Sequence, residues 1–419
     1  MRVDKTPRCL TVLTPILPGK DAALRARLRA IGDDINGKKV SAGTRPDIAF
    51  VRSRRIHFAR FAILNDPDRG PGRTRLLFAS VYDGPLDEHL DELVAITSDV
   101  DAIWGACEGY TGVNRFQSFI QAHACDANAY YVAFRDESAS SITSAIDARR
   151  RRHALQDSHT PSRDERTNAR AAIDSPSLFR SLVAATRRVV RAAPVVTDVV
   201  RAVVQNGFGN VYHGTLRITA SLDRYRVFRV LNWITRNRTP PRKSAFSSVP
   251  IDQRSAFAPL VTGDEIPAEW TAIAPEFRED AVAQNQLTLL TVVDPASVGR
   301  VRAVLAAIDS YARRLSPPGS LIGISTIHFV RWLLIDRGRR LLFISDYDGS
   351  WESYIDEFAE MILSGLDAIW ETSYGMPPDG ARDFPAFKRF LRSHQVPSDI
   401  FFAAYPDATV LNIISDRAH

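Results

Sequence analysis

The chain has little cysteine, little methionine and no long apolar run. Its three cysteines, Cys9, Cys107 and Cys125, stand far apart among 419 residues. They are too few and too scattered for a disulfide framework or a structural zinc site, so a reducing, cytoplasmic setting is expected. No stretch of 18 apolar residues occurs, and no transmembrane helix is expected. The N-terminal MRVDKTPRCLTVLTPILPG has only a short apolar run broken by prolines, unlike a secretory signal. Nucleotide and hydrolase signatures are missing too. There is no P-loop, no GxGxxG after a strand and no GxSxG, and GFGN at 207–210 is too short to cradle a phosphate. No spacing of His, Cys or carboxylates suggests a metal.

What is present is an ordinary globular composition, 45% hydrophobic and 24% charged, with net charge +6. The charge is unevenly placed. Residues 1–148 carry 19 basic and 19 acidic residues, residues 149–243 carry 20 and 6, and residues 244–419 carry 15 and 23. The basicity belongs to one central segment.

The two flanks repeat one another. RRIHFARFAILN (54–65) matches STIHFVRWLLID (325–336), and RLLFASVYDG (75–84) matches RLLFISDYDG (340–349). LDEHLDELVAI matches WESYIDEFAEM, and DAIW recurs at 101–104 and 367–370. FQSFIQAHACDANAYYVAF (116–134) runs without a gap against FKRFLRSHQVPSDIFFAAY (387–405), and CLTVLTPI (9–16) parallels QLTLLTVV (286–293). Each copy reads strand, helix, two strands around a Gly/Pro/Asp turn, an acidic-headed helix, an extra helix and an aromatic strand. That is βαββαβ, the ferredoxin-like module. Such a sheet carries helices on one face only, and two copies can cover each other's open faces.

The duplicated pattern resembles the dimeric α/β-barrel superfamily, which includes chlorite dismutases and dye-decolourising peroxidases. The resemblance covers about residues 9–137 and 286–413. The phrases QNQLT, IHFxRW and DGSWESY are similar to those of uncharacterised bacterial proteins. The resemblance implies an intramolecular α/β barrel and raises haem as a cofactor, with His328, His57 and His213 (in GNVYHGTL) as candidate axial ligands. Dye-decolourising peroxidases use an Asp-Gly distal acid within GxxDG. Here ASVYDG and ISDYDG lack the leading glycine.

Polar residues kept in both copies are the candidates for chemistry. They are His57/His328, Arg60/Arg331, Tyr82-Asp83-Gly84/Tyr347-Asp348-Gly349, Asp101/Asp367 and His123/His394. Strand alternation places residues three apart on opposite faces. One of His57 and Arg60 is therefore expected to face the helices, the other the space between modules. The candidate catalytic set is His328, Arg331 and Asp348, with His57, Arg60 and Asp83 as its counterpart. The His would move protons, the Arg hold an anionic group, and the Asp orient or donate. The structural alternative has Arg60 paired to a carboxylate such as Asp83, each His hydrogen-bonded in the core, and Asp83 and Asp348 capping the turn or helix that follows. His123 and His394 are expected to cap the last carbonyls of a helix and complement its dipole. Trp104 and Trp370 are expected to be core aromatics.

The central segment 175–209 places Leu178, Leu182, Val189 and Val196 on one helical side and Arg180, Arg187, Arg188, Arg191 and Arg201 on the other. Residues 222–246 interleave arginine with Tyr, Phe and Trp. Such a helix either packs on the protein or lies on an anionic membrane surface. With neutral and acidic flanks and no nucleic-acid motif, no nucleic-acid partner is expected.

The sequence therefore implies an α+β chain. Ferredoxin-like modules at 1–137 and 286–419 form an intramolecular α/β barrel, and a mainly helical basic insertion spans 138–285. It implies a cytoplasmic protein, peripheral at the inner face of the membrane, that binds or modifies a hydrophobic or lipid-derived small molecule in the inter-module cavity. A haem-dependent peroxidase-like oxidoreductase and a non-catalytic interaction protein are the alternatives.

Overall fold

The computed structural model of the chain describes residues 6–35, 48–66, 69–70, 72–157 and 283–417. The basic helix expected over 175–209, its five arginines and His213 lie outside the described residues.

The first half contributes strands β1 (Arg8–Pro15), β2 (Ile56–Asn65), β3 (Thr74–Tyr82) and β4 (Ala129–Val132). The second contributes β5 (Gln284–Val292), β6 (Ile327–Ile335), β7 (Arg340–Asp348) and β8 (Ile400–Ala403). The protein is α+β, with two four-stranded antiparallel sheets. The central strands are buried along nearly their whole length. This is why they read as continuous apolar runs and not as simple alternation: both faces are covered.

The sheet orders are β1-β3-β2-β8 and β4-β6-β7-β5. The closing strand of each half thus lies in the sheet of the other half. β8 pairs with β2 from Phe58↔Ala403 to Phe61↔Ile400, and β4 pairs with β6 from Ala129↔Trp332 to Val132↔Phe329. The repeat predicts the element order within each half, but the sheet partner of a four-residue strand is not written in its own residues.

Helices cover the outer faces. In the first half, α1 (Asp21–Ile35), α2 (Leu86–Ile96), α3 (Asp101–Trp104) and α4 (Phe116–Ala122) follow the predicted order. Leu24, Leu28 and Ile31, at helical spacing on α1, join Leu90 and Leu93 of α2 in a core over the first sheet. The helix α5 (Ala139–Asp157) then leads toward the basic segment. The second half uses α6 (Val298–Arg314), α7 (Trp351–Trp370), α8 (Phe384–Ser393) and the terminal α9 (Val410–Arg417). Asp87 and Glu88 stand in the first turn of α2 and Glu352 in that of α7, as the helix dipole favours. Gly84 and Gly349 take φ of +83° in the turn before these helices, which explains the repeated Asp-Gly.

The inner faces of the sheets meet. Leu13, Ala62, Leu64, Leu77 and Ala79 of one pack with Leu290, Leu333, Ile335, Leu342 and Ile344 of the other. At one end of this layer, Arg75 bridges Asp66 (3.2 Å) and Asp336 (2.8 Å), and Arg340 pairs with Asp336. Two arginines meet two carboxylates there, so the buried charges balance.

Candidate functional site

The two Ile-His-Phe stretches meet at the seam between the sheets. Each histidine sits at a register slip, between Ile56 and Phe58 in β2 and between Ile327 and Phe329 in β6. The slip is a β-bulge and breaks strict alternation. The expectation that His57 and Arg60 face opposite ways is therefore corrected: both reach the other half. The His57 ring lies 5.3 Å from that of Phe329, and the His328 ring lies 5.5 Å from that of Phe58.

Each histidine is fully buried and meets the aspartate predicted for it. Nε2 of His57 donates to Oδ1 of Asp83 at 3.0 Å, and Nε2 of His328 donates to Oδ1 of Asp348 at 2.6 Å. Nδ1 of His57 accepts from the Tyr405 hydroxyl at 2.7 Å. Burial and nearby carboxylates push Tyr405 well above the usual phenol value, so it is held as a donor. Phe134 occupies the corresponding place beside His328, 5.5 Å away. It has no hydroxyl, and Nδ1 of His328 has no partner among the described residues.

The second oxygens of the aspartates also have structural work. Oδ2 of Asp83 accepts from the backbone N–H of Ala139, and Oδ2 of Asp348 from that of Val410, both at 2.7 Å. These are the first residues of α5 and α9. The aspartates thus cap helices, but not the ones that follow them in sequence. Ser350 caps α7 with its side chain, and Pro85 precedes α2. Each exchanged strand runs into the partner sheet, and the helix after it returns to the Asp of its own half. The His–Asp pairs fasten that crossing.

Haem does not fit these histidines. His57 has both ring nitrogens engaged. The one free nitrogen of His328 belongs to a ring enclosed by Phe58 and Phe134 (both 5.5 Å) and Tyr405 (6.1 Å). A macrocycle laid against it would displace all three rings.

The arginines lie three residues further along the same strands. Arg60, 1% exposed, does not pair with Asp83. It crosses to the second sheet, donates to Leu287 O (3.2 Å), Thr288 Oγ1 (3.0 Å) and Ser345 O (3.1 Å), and forms an ion pair with Asp346. Phe401 lies 5.7 Å below the guanidinium. Burial lowers the Arg60 pKa, with Asp346 acting in opposition. Burial raises the Asp346 carboxyl, with Arg60 and Arg331 opposing. Arg331, 2% exposed, crosses the other way and donates from Nη1 to Ser80 O at 2.9 Å, the counterpart of the Arg60–Ser345 bond. The carboxylate is not duplicated. Val81 stands where the second half has Asp346. Among the described residues, Nε of Arg331, the Thr11 hydroxyl and the Tyr130 hydroxyl are buried without hydrogen-bond partners.

Sequence reasoning missed Asp346, Tyr405 and Tyr130 because it followed what both copies keep. The signal lay in what they do not share: Val81 against Asp346, Phe134 against Tyr405, Tyr130 against Phe401.

Other predicted residues are structural. Nδ1 of His123 and of His394 lies 2.8 Å from the carbonyl four residues earlier, so both close helices as expected. Burial pushes His394 down to about 4, so it caps by hydrogen bonding as a neutral ring and adds no charge to the dipole. Asp101 accepts from Tyr110 (2.5 Å) and Asp367 from the Ala381 N–H (2.8 Å). Trp104 and Trp370 are buried. Among the described residues no cluster of His, Cys and carboxylates suits a metal ion, and no helix is long and apolar enough to cross a membrane. No family model, curated protein or solved structure matches the chain.

Proposed function

We propose that the protein binds a small anionic amphiphile between the two halves of an intramolecular ferredoxin-like α/β barrel. One observation carries this reading: of the two buried, corresponding arginines of the seam, Arg60 has an ion pair with the buried Asp346, whereas Arg331 has none among the described residues. A charge taken from water costs several kcal/mol unless it is paired, and the Arg75–Arg340 cluster has as many carboxylates as arginines. An anion from outside would complete the Arg331 end as Asp346 completes the Arg60 end. The partly exposed rings of Tyr130 and Phe401, opposite the arginines, offer the apolar part of such a molecule a surface of its own kind.

In this reading the His–Asp pairs are clasps and the protein is a binder. Each Asp already serves a ring nitrogen and a helix N-terminus. A lipid-derived ligand remains the favoured class. Collection from an anionic membrane surface by the basic segment 175–246 is consistent with it.

The test is native mass spectrometry of the purified chain, followed by denaturation and extraction. A bound mass that is released on denaturation and missing from Arg331→Gln supports the reading. A bare chain mass that stays unchanged when lipid extract is added contradicts it.

A further inference from the structure

The duplication provides an internal control for what Arg331 lacks. The Arg60 centre consists of the guanidinium, Thr288, Asp346 and Phe401, all in hydrogen-bond, ion-pair or ring contact. Its counterpart consists of Arg331, Thr11, Val81 and Tyr130. Tyr130 stands opposite Arg331 in the β4–β6 register, as Phe401 stands opposite Arg60 in the β2–β8 register. Val has nearly the size of Asp, so the exchange at position 81 removes charge and leaves the packing in place.

The residues beside the two centres differ as well. Gln286, paired with Asp346 across β5 and β7, accepts from Ser398 at 2.8 Å beside the first. Cys9, paired with Val81 across β1 and β3, stands at the second, with Ala127 in the place of Ser398. Cys9 is partly exposed and lies close enough to Tyr130 for their charged forms to interact. Cysteine lacks the terminal carboxamide of glutamine, three heavy atoms in the shape of a carboxylate. β1 and β4 are both edge strands, so Cys9 and Tyr130 lie at the rim of the two sheets.

We infer that Arg331, Tyr130 and Thr11 form a carboxylate-binding subsite, entered past Cys9, that takes the head of a monocarboxylic acid. This deepens the binding reading above and rests on it. The local charges favour this class. Arg331 has no ion pair among the described residues, and Asp346 and Asp83 both act on Tyr130, so a singly charged head meets less repulsion there than a dianionic phosphate. Arg331 Nε–H, Tyr130 O–H and Thr11 O–H are three donors for two oxygens, a suitable match for a planar carboxylate. Asp346 is the same group, supplied internally, at the other centre.

The experiment is calorimetric titration of the full chain with octanoate, octyl phosphate and octanol, which share a chain length and differ in the head. The proposal expects saturable octanoate binding, at least about tenfold weaker binding of the other two, and about tenfold weaker octanoate binding in Tyr130→Phe. It expects no octanoate binding in Cys9→Gln, which copies Gln286 at the other centre, or in Val81→Asp, which supplies the carboxylate internally. Tyr130→Phe and Cys9→Gln reproduce residues already accommodated at the other centre, so they test the site even where Val81→Asp fails to fold. Octyl phosphate binding that Cys9→Gln abolishes, without octanoate binding, overturns the carboxylate assignment and leaves the anionic-amphiphile reading standing. Binding of no probe, with an extracted ligand indifferent to Arg331→Gln, overturns both. Octanoate binding unchanged in Cys9→Gln and Tyr130→Phe overturns the subsite.

Discussion

Replacing Asp346 by Val makes the first centre resemble the second and leaves Arg60 buried without its carboxylate. The guanidinium keeps its bonds to Leu287 O, Thr288 Oγ1 and Ser345 O. What it loses is the charge partner, in a place where Arg60 is 1% and Asp346 2% exposed. Breaking a buried pair from one side costs about 3–5 kcal/mol. Asp346→Val should therefore destabilise the chain by about 3 kcal/mol or more, read as a shift in the urea midpoint followed by tryptophan fluorescence. The double variant Val81→Asp/Asp346→Val moves the carboxylate from Arg60 to Arg331. It should recover more than half of the loss, because the two centres share one design. Val81→Asp alone should be stabilising, as it gives each arginine a carboxylate. The non-additive term of this cycle reports how much the centres depend on one shared charge. A cost below about 1 kcal/mol for Asp346→Val, or a double variant no better than the single, would refute the premise that buried arginine charge at this seam needs an anion.

Three further outcomes follow from the same geometry. His89 is pushed down to about 3 and His394 to about 4, both by burial. An unfolded chain protonates both near 6.5, so their stability contribution is fully present above that pH and is lost as pH falls toward 3. His89→Tyr, copying Tyr354, which meets Ser345 as His89 meets Ser80, should flatten the acid limb by about 1.4 kcal/mol per pH unit below 6.5. An unchanged slope in urea titrations across that range would contradict this. Phe134→Tyr should give Nδ1 of His328 the hydroxyl that Tyr405 gives His57. A gain of about 1 kcal/mol is expected, with a matching loss for Tyr405→Phe; the two urea midpoints check it. Removal of residues 175–246 should reduce co-sedimentation with anionic vesicles at low salt while leaving the circular dichroism of the two-sheet body intact. Equal sedimentation would detach the basic segment from the membrane.

The duplication, the order of elements and the buried central strands were legible because they are repeated, long and strongly apolar. The exchange of β4 and β8 was not. AYYV and IFFA carry nothing that says which β2-like strand they join. Partner choice is made by the whole sheet, here by closing strands whose following helices are pinned at Asp83 and Asp348. The His–Asp association was half legible. The residues were evident from the repeat, but the bulge at His57 and His328 changed the face arithmetic, and strand periodicity cannot announce a bulge. The sequence offers the aspartates both as candidates for chemistry and as caps of the next turn or helix; they cap distant helices, because cap acceptors are chosen by space and not by sequence distance. Most informative was a difference. Where Val81 replaces the counterpart of Asp346, one of two similar centres loses its charge and keeps its arginine. A search for shared residues passes over such a position.

The most direct test is the electron density at Arg331 in crystals of the purified chain, at a resolution that separates water from a carboxylate. Planar, branched density is expected within hydrogen-bond reach of Arg331 Nε and the Tyr130 hydroxyl, continuing into an organic tail past Cys9. A lone spherical peak of water, with Arg331 held as in the absence of ligand, would contradict it.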